Sequence, residues 1–102
     1  MADFQVDQAR GKDCFRISGD LSFTTVPEVF ARSMPLLKRS AAAVSIDLQA
    51  VERSDSAGLA LLVEWLLVAR RLNKAITFRN IPTQMRAIAQ VSALEAILPL
   101  VE

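Results

Sequence analysis

The stretch 44–69 joins a compact β-rich run to a long apolar helix through a short polar turn. Residues 44–48 form an apolar run that predicts a strand buried on both faces. The turn 52–56 follows, and the apolar pattern after it predicts a helix from residue 56 to about residue 72. A strand and a helix joined in this way bury their apolar surfaces against each other, which indicates an α/β domain.

Asp55 and Ser56 lie where this helix is predicted to start. Side-chain oxygens are favoured at that point because they accept hydrogen bonds from the first unpaired backbone N–H groups of a helix. Ala57 and Gly58 are small, so another group can approach the backbone closely. Helix N-termini also attract negative charge, including phosphate. The turn is therefore predicted to be an exposed polar point on a rigid core, suited to a partner contact or a switch.

The rest of the chain completes an α/β pattern around this unit. A helix is predicted over 21–39, and Pro35 should kink it or end its regular part early. The other predicted elements are strands at 4–9, 14–18 and 75–78, a polar turn at 10–13, a helix from 82 to about 92 and an apolar tail at 94–100. The order β-β-α-β-α-β-α predicts a mixed four-stranded sheet packed with about three helices, in a single domain over 1–102.

Composition excludes several classes of function. The 102 residues include one cysteine and no histidine, which leaves no internal disulfide, no usual metal site and no Ser-His or Cys-His catalysis. The sequence has no glycine-rich phosphate loop either. We therefore expect a protein that is not an enzyme and that uses no cofactor. A net charge of +1 gives no overall field towards nucleic acid.

The sequence predicts neither a targeting segment nor a membrane span. Its first residues lack the basic and apolar regions of a signal peptide. The longest apolar stretch, 59–69, is about half as long as a membrane-spanning helix, and Glu64 interrupts it. We therefore expect a cytoplasmic protein with no direct membrane insertion.

The pentapeptide Asp55-Ser56-Ala57-Gly58-Leu59 resembles a known family signature. Placed between a strand and an apolar helix, it is similar to the D-[ST]-x-G-[LIV] signature of the STAS domain (sulfate transporter and anti-sigma factor antagonist). The resemblance extends from Phe4 to about Leu100 and implies a STAS fold, an α/β architecture of the kind predicted above. STAS domains of anion transporters are joined to membrane helices, which this sequence does not predict.

Two classes within the family remain. Anti-sigma factor antagonists present Asp-Ser-Ser or Asp-Ser-Thr before Gly-Leu, whereas this chain has Ala57 in place of the second hydroxyl. The small STAS subunit (MlaB-like) of the Mla phospholipid ABC transporter is similar in length and in its leucine-rich helix. It is also similar at its carboxy-terminal end, here Leu98-Pro99-Leu100. The resemblance is therefore closer to the MlaB-like class.

The MlaB-like resemblance implies a non-catalytic subunit that binds and supports the transporter's cytoplasmic ATPase, in phospholipid traffic that maintains outer membrane lipid asymmetry. The protein would then be peripheral to the inner membrane through its partner. The residues predicted to contact that partner are Ser54, Asp55, Ser56, Ala57, Gly58, Leu59, Phe30 and Trp65. The alternative is an anti-sigma factor antagonist whose binding to an anti-sigma factor or serine kinase is switched by phosphorylation of Ser56.

Several residues have a purely structural alternative. Ser56 is an N-cap, a contact residue or both. If it is a cap, its replacement by alanine would lower the free energy of unfolding by about 1 kcal/mol. The apolar surface of the second helix is covered by its neighbours or offered to a partner, and Trp65 is predicted to face outwards. Arg70, Arg71 and Lys74 form a solvated basic helix end, favourable to that helix's dipole, or contact phosphate or lipid.

Overall fold

The computed structural model describes residues 4–8 and 14–101, so the predicted turn at 10–13 lies outside the described residues. In that part of the chain, strands alternate with helices after an initial strand pair. The elements are β1 (Phe4–Gln8), β2 (Cys14–Leu21), α1 (Val26–Arg39), β3 (Ala43–Ser54), α2 (Ser56–Arg71), β4 (Ala75–Arg79), α3 (Thr83–Val91) and β5 (Leu100–Val101). One turn of 3-10 helix, Leu94–Ala96, precedes β5.

The strands form one mixed sheet in the sequential order β1-β2-β3-β4-β5. Strand β1 is antiparallel to β2, and every later pair is parallel. Each parallel pair is joined by a helical crossover, and such crossovers are right-handed as a rule. Each crossover moves one strand in the same direction, which places the three helices on the same face, and α2 accordingly contacts both α1 and α3. The helices run antiparallel to β2–β5, and their N-termini therefore lie at the carboxyl ends of the parallel strands.

The sheet has a fifth strand that the sequence did not predict. Part of the predicted apolar tail pairs with β4: the Phe78 N–H donates to the Pro99 carbonyl (2.9 Å) and the Asn80 N–H donates to the Val101 carbonyl (3.3 Å). Strand β5 contains 2 residues. So short a strand carries no detectable alternation, which is why the prediction of a four-stranded sheet was wrong.

Strand β3 is buried on one face rather than on both. Val44, Ile46 and Leu48 point towards the helices and are buried, whereas Ser45 and Asp47 lie half-buried on the opposite face. The prediction of a strand buried on both faces was therefore wrong, because the few polar residues of this run occupy one face. With all helices on one face, the other face of the sheet is open.

Strand β3 is also longer than predicted and contains two extra residues relative to β2. Arg16 pairs with Asp47 and Ser18 with Ala50, so β3 advances three residues while β2 advances two. A second shift follows Gly19, whose φ of 89° is one that glycine adopts without strain. Residues 52–54, predicted as a turn, therefore belong to the strand.

Helix α1 starts later than predicted and ends at the predicted residue, without the early end expected at Pro35. The Thr25 hydroxyl accepts from the Ser22 N–H (2.9 Å) and donates to the Asp20 carbonyl (2.7 Å), which fixes a turn before the helix. Pro35 does not end the helix, which continues to Arg39. Pro35 has no N–H to donate to the Ala31 carbonyl. Both residues are exposed, so this carbonyl faces solvent.

Trp65 lies in the core, so the prediction that it faces outwards was wrong. Helix α2 contacts α1 on one side and α3 on the other, and the Trp65 side chain is 0% exposed. Its indole N–H donates to the Ser33 hydroxyl of α1 (2.7 Å), which donates to the Phe30 carbonyl (2.8 Å). The indole ring also stacks on Phe78 of β4, with ring centroids 6.3 Å apart. One buried polar chain therefore joins α1 to α2.

Replacing Ser33 with alanine tests this chain. Ser33→Ala leaves the Trp65 indole N–H buried without its acceptor, and we expect the free energy of unfolding to fall by about 1–3 kcal/mol. Urea unfolding followed by fluorescence measures the change, since Trp65 is the single tryptophan.

Ser92→Ala is the matched control. The Ser92 hydroxyl donates to the Ile88 carbonyl at an exposed position, so its loss should change the free energy of unfolding by less than about 0.5 kcal/mol. Equal effects of the two substitutions would contradict the importance of the buried bond.

Candidate functional site

The carboxyl ends of β2 and β3 meet where α1 and α2 begin. Leu21 and Ser54, the last residues of the two strands, pair with each other. The next residue, Asp55, donates its main-chain N–H to the Leu21 carbonyl (3.2 Å). The extra residues of β3 carry the strand far enough to make this contact, so the strand irregularity positions the turn.

Asp55 connects the starts of the two helices. One carboxylate oxygen accepts from the Ala57 N–H (2.8 Å) at the start of α2, and the other accepts from the Phe23 N–H (3.2 Å) in the turn before α1. Asp55 is therefore the N-cap of α2, and the alternative that Ser56 is the cap was wrong. An aspartate accepts two such bonds because each carboxylate oxygen reaches a different loop.

Ser56 is the first residue of α2 and is exposed. Among the described residues, none forms a hydrogen bond with its hydroxyl, so the side chain has no structural bond that a partner or a modifying enzyme would have to break. Ser54 differs: its hydroxyl oxygen is buried and has no hydrogen-bond partner in the described part of the chain. Of the two serines, Ser56 presents its hydroxyl at the surface.

Gly58 allows the first turn of α2 to approach β2 and α3. A Cβ atom at this position would lie 3.0 Å from the Leu21 carbonyl oxygen and 3.1 Å from the Met85 side chain. The same carbonyl oxygen accepts from the Asp55 N–H, so it cannot move freely. Gly58 is thus needed for close packing beneath the turn.

The structure removes three residues from the predicted set of partner contacts. Gly58 is buried, Leu59 is 3% exposed and Trp65 is 0% exposed, so none of them can contact another protein without rearrangement of the core. They support the turn from inside. Ala57 is half-buried, and its N–H is held by Asp55. Phe30 on α1 is half-buried against the core, and its role in binding stays a prediction.

Phe23 is a surface residue that the sequence analysis did not identify. Its side chain is 81% exposed, and its main-chain N–H is bound to Asp55. The available signal was an aromatic residue within a polar turn directly after a strand. We call Phe23, Asp55 and Ser56 the turn surface: an aromatic ring, a carboxylate and a free hydroxyl held together on rigid elements.

No group of three or more His, Cys, Asp or Glu within residues 4–8 and 14–101 could hold a metal ion.

Burial raises the pKa of Asp47, but hydrogen bonds from the Gln49 N–H and Asn80 and the charges of Arg16 and Arg79 lower it more, so the pKa lies below its ordinary value. Asp47 therefore stays a carboxylate on the open face of the sheet.

Alanine substitutions at the turn should separate the cap from the free hydroxyl. Asp55→Ala removes the acceptor for two N–H groups, and we expect the free energy of unfolding to fall by about 1–2 kcal/mol. Ser56→Ala should change it by less than about 0.5 kcal/mol, rather than by the value expected of a cap. Urea unfolding of both variants measures the difference, and equal losses would contradict the assignment of Asp55 as the cap.

Gly58→Ala tests the close packing beneath the turn. Alanine in an unobstructed helix position stabilises a protein by about 1 kcal/mol relative to glycine. Here the added methyl group meets a fixed carbonyl, and we expect a net destabilisation of about 1–3 kcal/mol in thermal or urea unfolding. A more stable variant would show that the contact yields easily.

Comparison with protein families gives a match to the family described as "Mlab, STAS domain" over residues 4–102. The chain therefore belongs to this STAS family. STAS domains mediate protein–protein interaction and are generally non-catalytic. Comparison with curated protein sequences gives no match.

Solved structures share the fold at low sequence identity. An anti-sigma factor antagonist from Mycobacterium paratuberculosis is 20% identical, with a TM-score of 0.73 over 95% of this chain and 84% of that chain. The anti-sigma factor antagonist SpoIIAA in its unphosphorylated form is 16% identical, with a TM-score of 0.71 over 97% and 88%. The Bacillus cell fate determinant SpoIIAA in its phosphorylated form is 17% identical, with a TM-score of 0.67 over 97% and 91%.

Proposed function

We propose that this STAS domain is a non-catalytic subunit that binds and supports the cytoplasmic ATPase of an Mla-type ABC transporter. The transporter would move phospholipids between the inner and outer membranes and so maintain outer membrane lipid asymmetry. The description of the matching family, which names Mlab, supports this choice within the STAS proteins. The protein would be held at the inner membrane by its partner. No helix within residues 4–8 and 14–101 is long and apolar enough to cross a membrane.

The observation that carries the proposal is the exposed aromatic ring beside a free hydroxyl. Phe23 is 81% exposed, and its backbone is fixed to Asp55, next to Ser56. An aromatic side chain on a fixed backbone loses little conformational entropy when a partner covers it, because it has only two rotatable bonds. Aromatic anchors surrounded by polar groups supply much of the energy of protein interfaces. The turn surface has this composition.

A second candidate function is that of an anti-sigma factor antagonist switched by phosphorylation. It is favoured by one observation: the Ser56 hydroxyl is exposed and has no partner among the described residues. A phosphate at Ser56 would add nearly two negative charges beside the Asp55 carboxylate. That change would disrupt an interface without unfolding the domain. Phe23 supplies contact area that does not depend on phosphorylation, and this favours the constitutive transporter subunit.

Two variants of the turn surface test the proposed docking. Phe23→Ala removes the ring but keeps the N–H that Asp55 binds, and we expect affinity for the purified ATPase subunit to fall by about thirty-fold, the usual effect of losing an aromatic anchor. Ser56→Arg places a large charged side chain at the centre of the surface and should abolish binding. Isothermal titration calorimetry measures both.

Matched controls lie outside the turn surface. Val91→Ala shortens an apolar side chain that is 90% exposed, and Ser92→Arg adds the same bulk to another exposed serine. Both should bind the ATPase subunit as the unmodified protein does. Equal affinities for the turn-surface and control variants would remove the turn surface from the interface.

Affinity capture from the protein's own cells distinguishes the two candidate functions. Recovery of an ABC ATPase with its permease, together with an unmodified intact mass, is the result expected of the transporter subunit. Recovery of a serine kinase or an anti-sigma factor, with one phosphate that Ser56→Ala eliminates, would establish the switched antagonist instead.

A further inference from the structure

The basic residues are concentrated at the end of the molecule opposite the turn surface. The stretches 29–46 and 65–94 contain no aspartate or glutamate. They include the carboxyl-terminal halves of α1 and α2, which both start at the turn surface. Five cationic residues close these helices, and we call them the basic end: Lys38, Arg39, Arg70, Arg71 and Lys74.

Lys74 brings the two helix ends together. Its ammonium group donates to the carbonyl oxygens of Lys38 (3.1 Å) and Ser40 (2.9 Å), and also to that of Leu37. Lys74 therefore caps the neighbouring helix α1, rather than only favouring the dipole of α2 as predicted. Asn73 has a φ of 57° and turns the chain away from α2, which directs Lys74 towards α1.

The basic end carries more positive charge than the helices require. Two helix C-termini together present about one negative elementary charge in partial charges, and the Lys74 ammonium already lies against one of them. The other four members of the basic end are exposed. None of these four forms an ion pair with a residue that the structure describes. Their charge is therefore available to an anionic partner.

Exposed aliphatic side chains lie at the same end of the molecule. Helix α3 also runs antiparallel to the parallel strands, and the chain returns from it to the start of β5, so Val91 and Ile97 lie at this end. Val91 is 90% exposed and Ile97 is 58% exposed. The nearby Glu95 carboxylate accepts from Arg86 and Gln90, each at 3.3 Å, so its charge is largely compensated. This end thus combines unpaired cations with projecting aliphatic groups.

We infer that this end of the molecule is a contact surface for anionic phospholipid headgroups. Cations supply electrostatic attraction to an anionic leaflet, and projecting aliphatic groups can enter the layer between headgroups and acyl chains. Nucleic acid is a poorer match because, among the residues that the structure describes, the exposed large apolar ones at this end are aliphatic and offer no aromatic ring to stack on bases. A protein partner is also a poorer match. Protein interfaces are typically anchored by packed aromatic side chains, whereas the exposed apolar groups at this end are projecting aliphatic ones.

The expected affinity is weak. Electrostatic attraction of each basic residue to an anionic leaflet strengthens membrane binding. Four such residues together give a partition coefficient on the order of 10³ M⁻¹. Such a contact orients a protein that something else holds at the membrane, and it does not anchor the protein alone. The inference itself is independent of the proposed function, because it concerns the opposite end of the domain and needs no ATPase.

Vesicle sedimentation with the purified full chain tests the inference. At low salt, the protein should bind vesicles that contain phosphatidylglycerol and should not bind vesicles of phosphatidylcholine. Raising the salt concentration should release it. Replacing Arg70 and Arg71 together with glutamine, which forms helix about as well as arginine, should weaken binding by about thirty-fold. Val91→Ser should weaken it by several-fold through loss of apolar insertion.

The matched control replaces Arg53 and Arg79 together with glutamine. Both residues are exposed, and the change in net charge is the same. This variant should bind the vesicles as the unmodified protein does; an equal loss would assign the effect to net charge and overturn the inference. Absence of binding at low salt, or equal binding to both vesicle types, would also overturn it. If vesicle binding is absent but the Arg70 and Arg71 variant binds the ATPase less tightly, this end belongs to a protein interface.

Discussion

The fold depends on one carboxylate that holds the starts of two helices. Asp55 accepts one N–H from each of the segments that lead into α1 and α2, at the ends of two paired strands. At the other end of the same helices, the Lys74 ammonium is bound to the carbonyls of α1. A negative group thus lies at the helix N-termini and a positive group at a helix C-terminus, as the helix dipoles favour. These two side chains fix how the helices lie on the sheet.

Much of the fold could be predicted because its pattern is local. The order of the elements through α3 and the bounds of α2 follow from periodicity and capping, and the structure confirms them. The end of β3 could not be predicted in this way, because extra residues break the two-residue period after Leu48. The burial of Trp65 depends on which helices flank α2, and a linear pattern does not contain that information.

The local structure around Asp55 and Ser56 was predicted only in part. The motif placed Asp55 and Ser56 correctly at a helix start, yet their roles as cap and exposed residue depend on a bond to Phe23, which is 32 residues away in sequence. Phe23 itself lies in a turn without periodicity. The net charge of +1 did not indicate the basic end either, because it sums the charges of that end and of the acidic residues elsewhere. The two ends of this small domain therefore differ in chemistry.

The irregular pairing of β3 has a consequence for how this chain can vary in length. After Leu48, the inward positions are Val51 and then Ser54, three residues apart, because each extra residue moves the next side chain to the other face. Deleting one residue between 49 and 53 would remove only one of the two irregularities in the pairing, and it would turn every later side chain of the strand over and shift Asp55 away from Leu21. This polar segment looks like a loop in the sequence, where insertions and deletions are usually tolerated. Its length is nevertheless constrained as tightly as that of the core strand from which it continues.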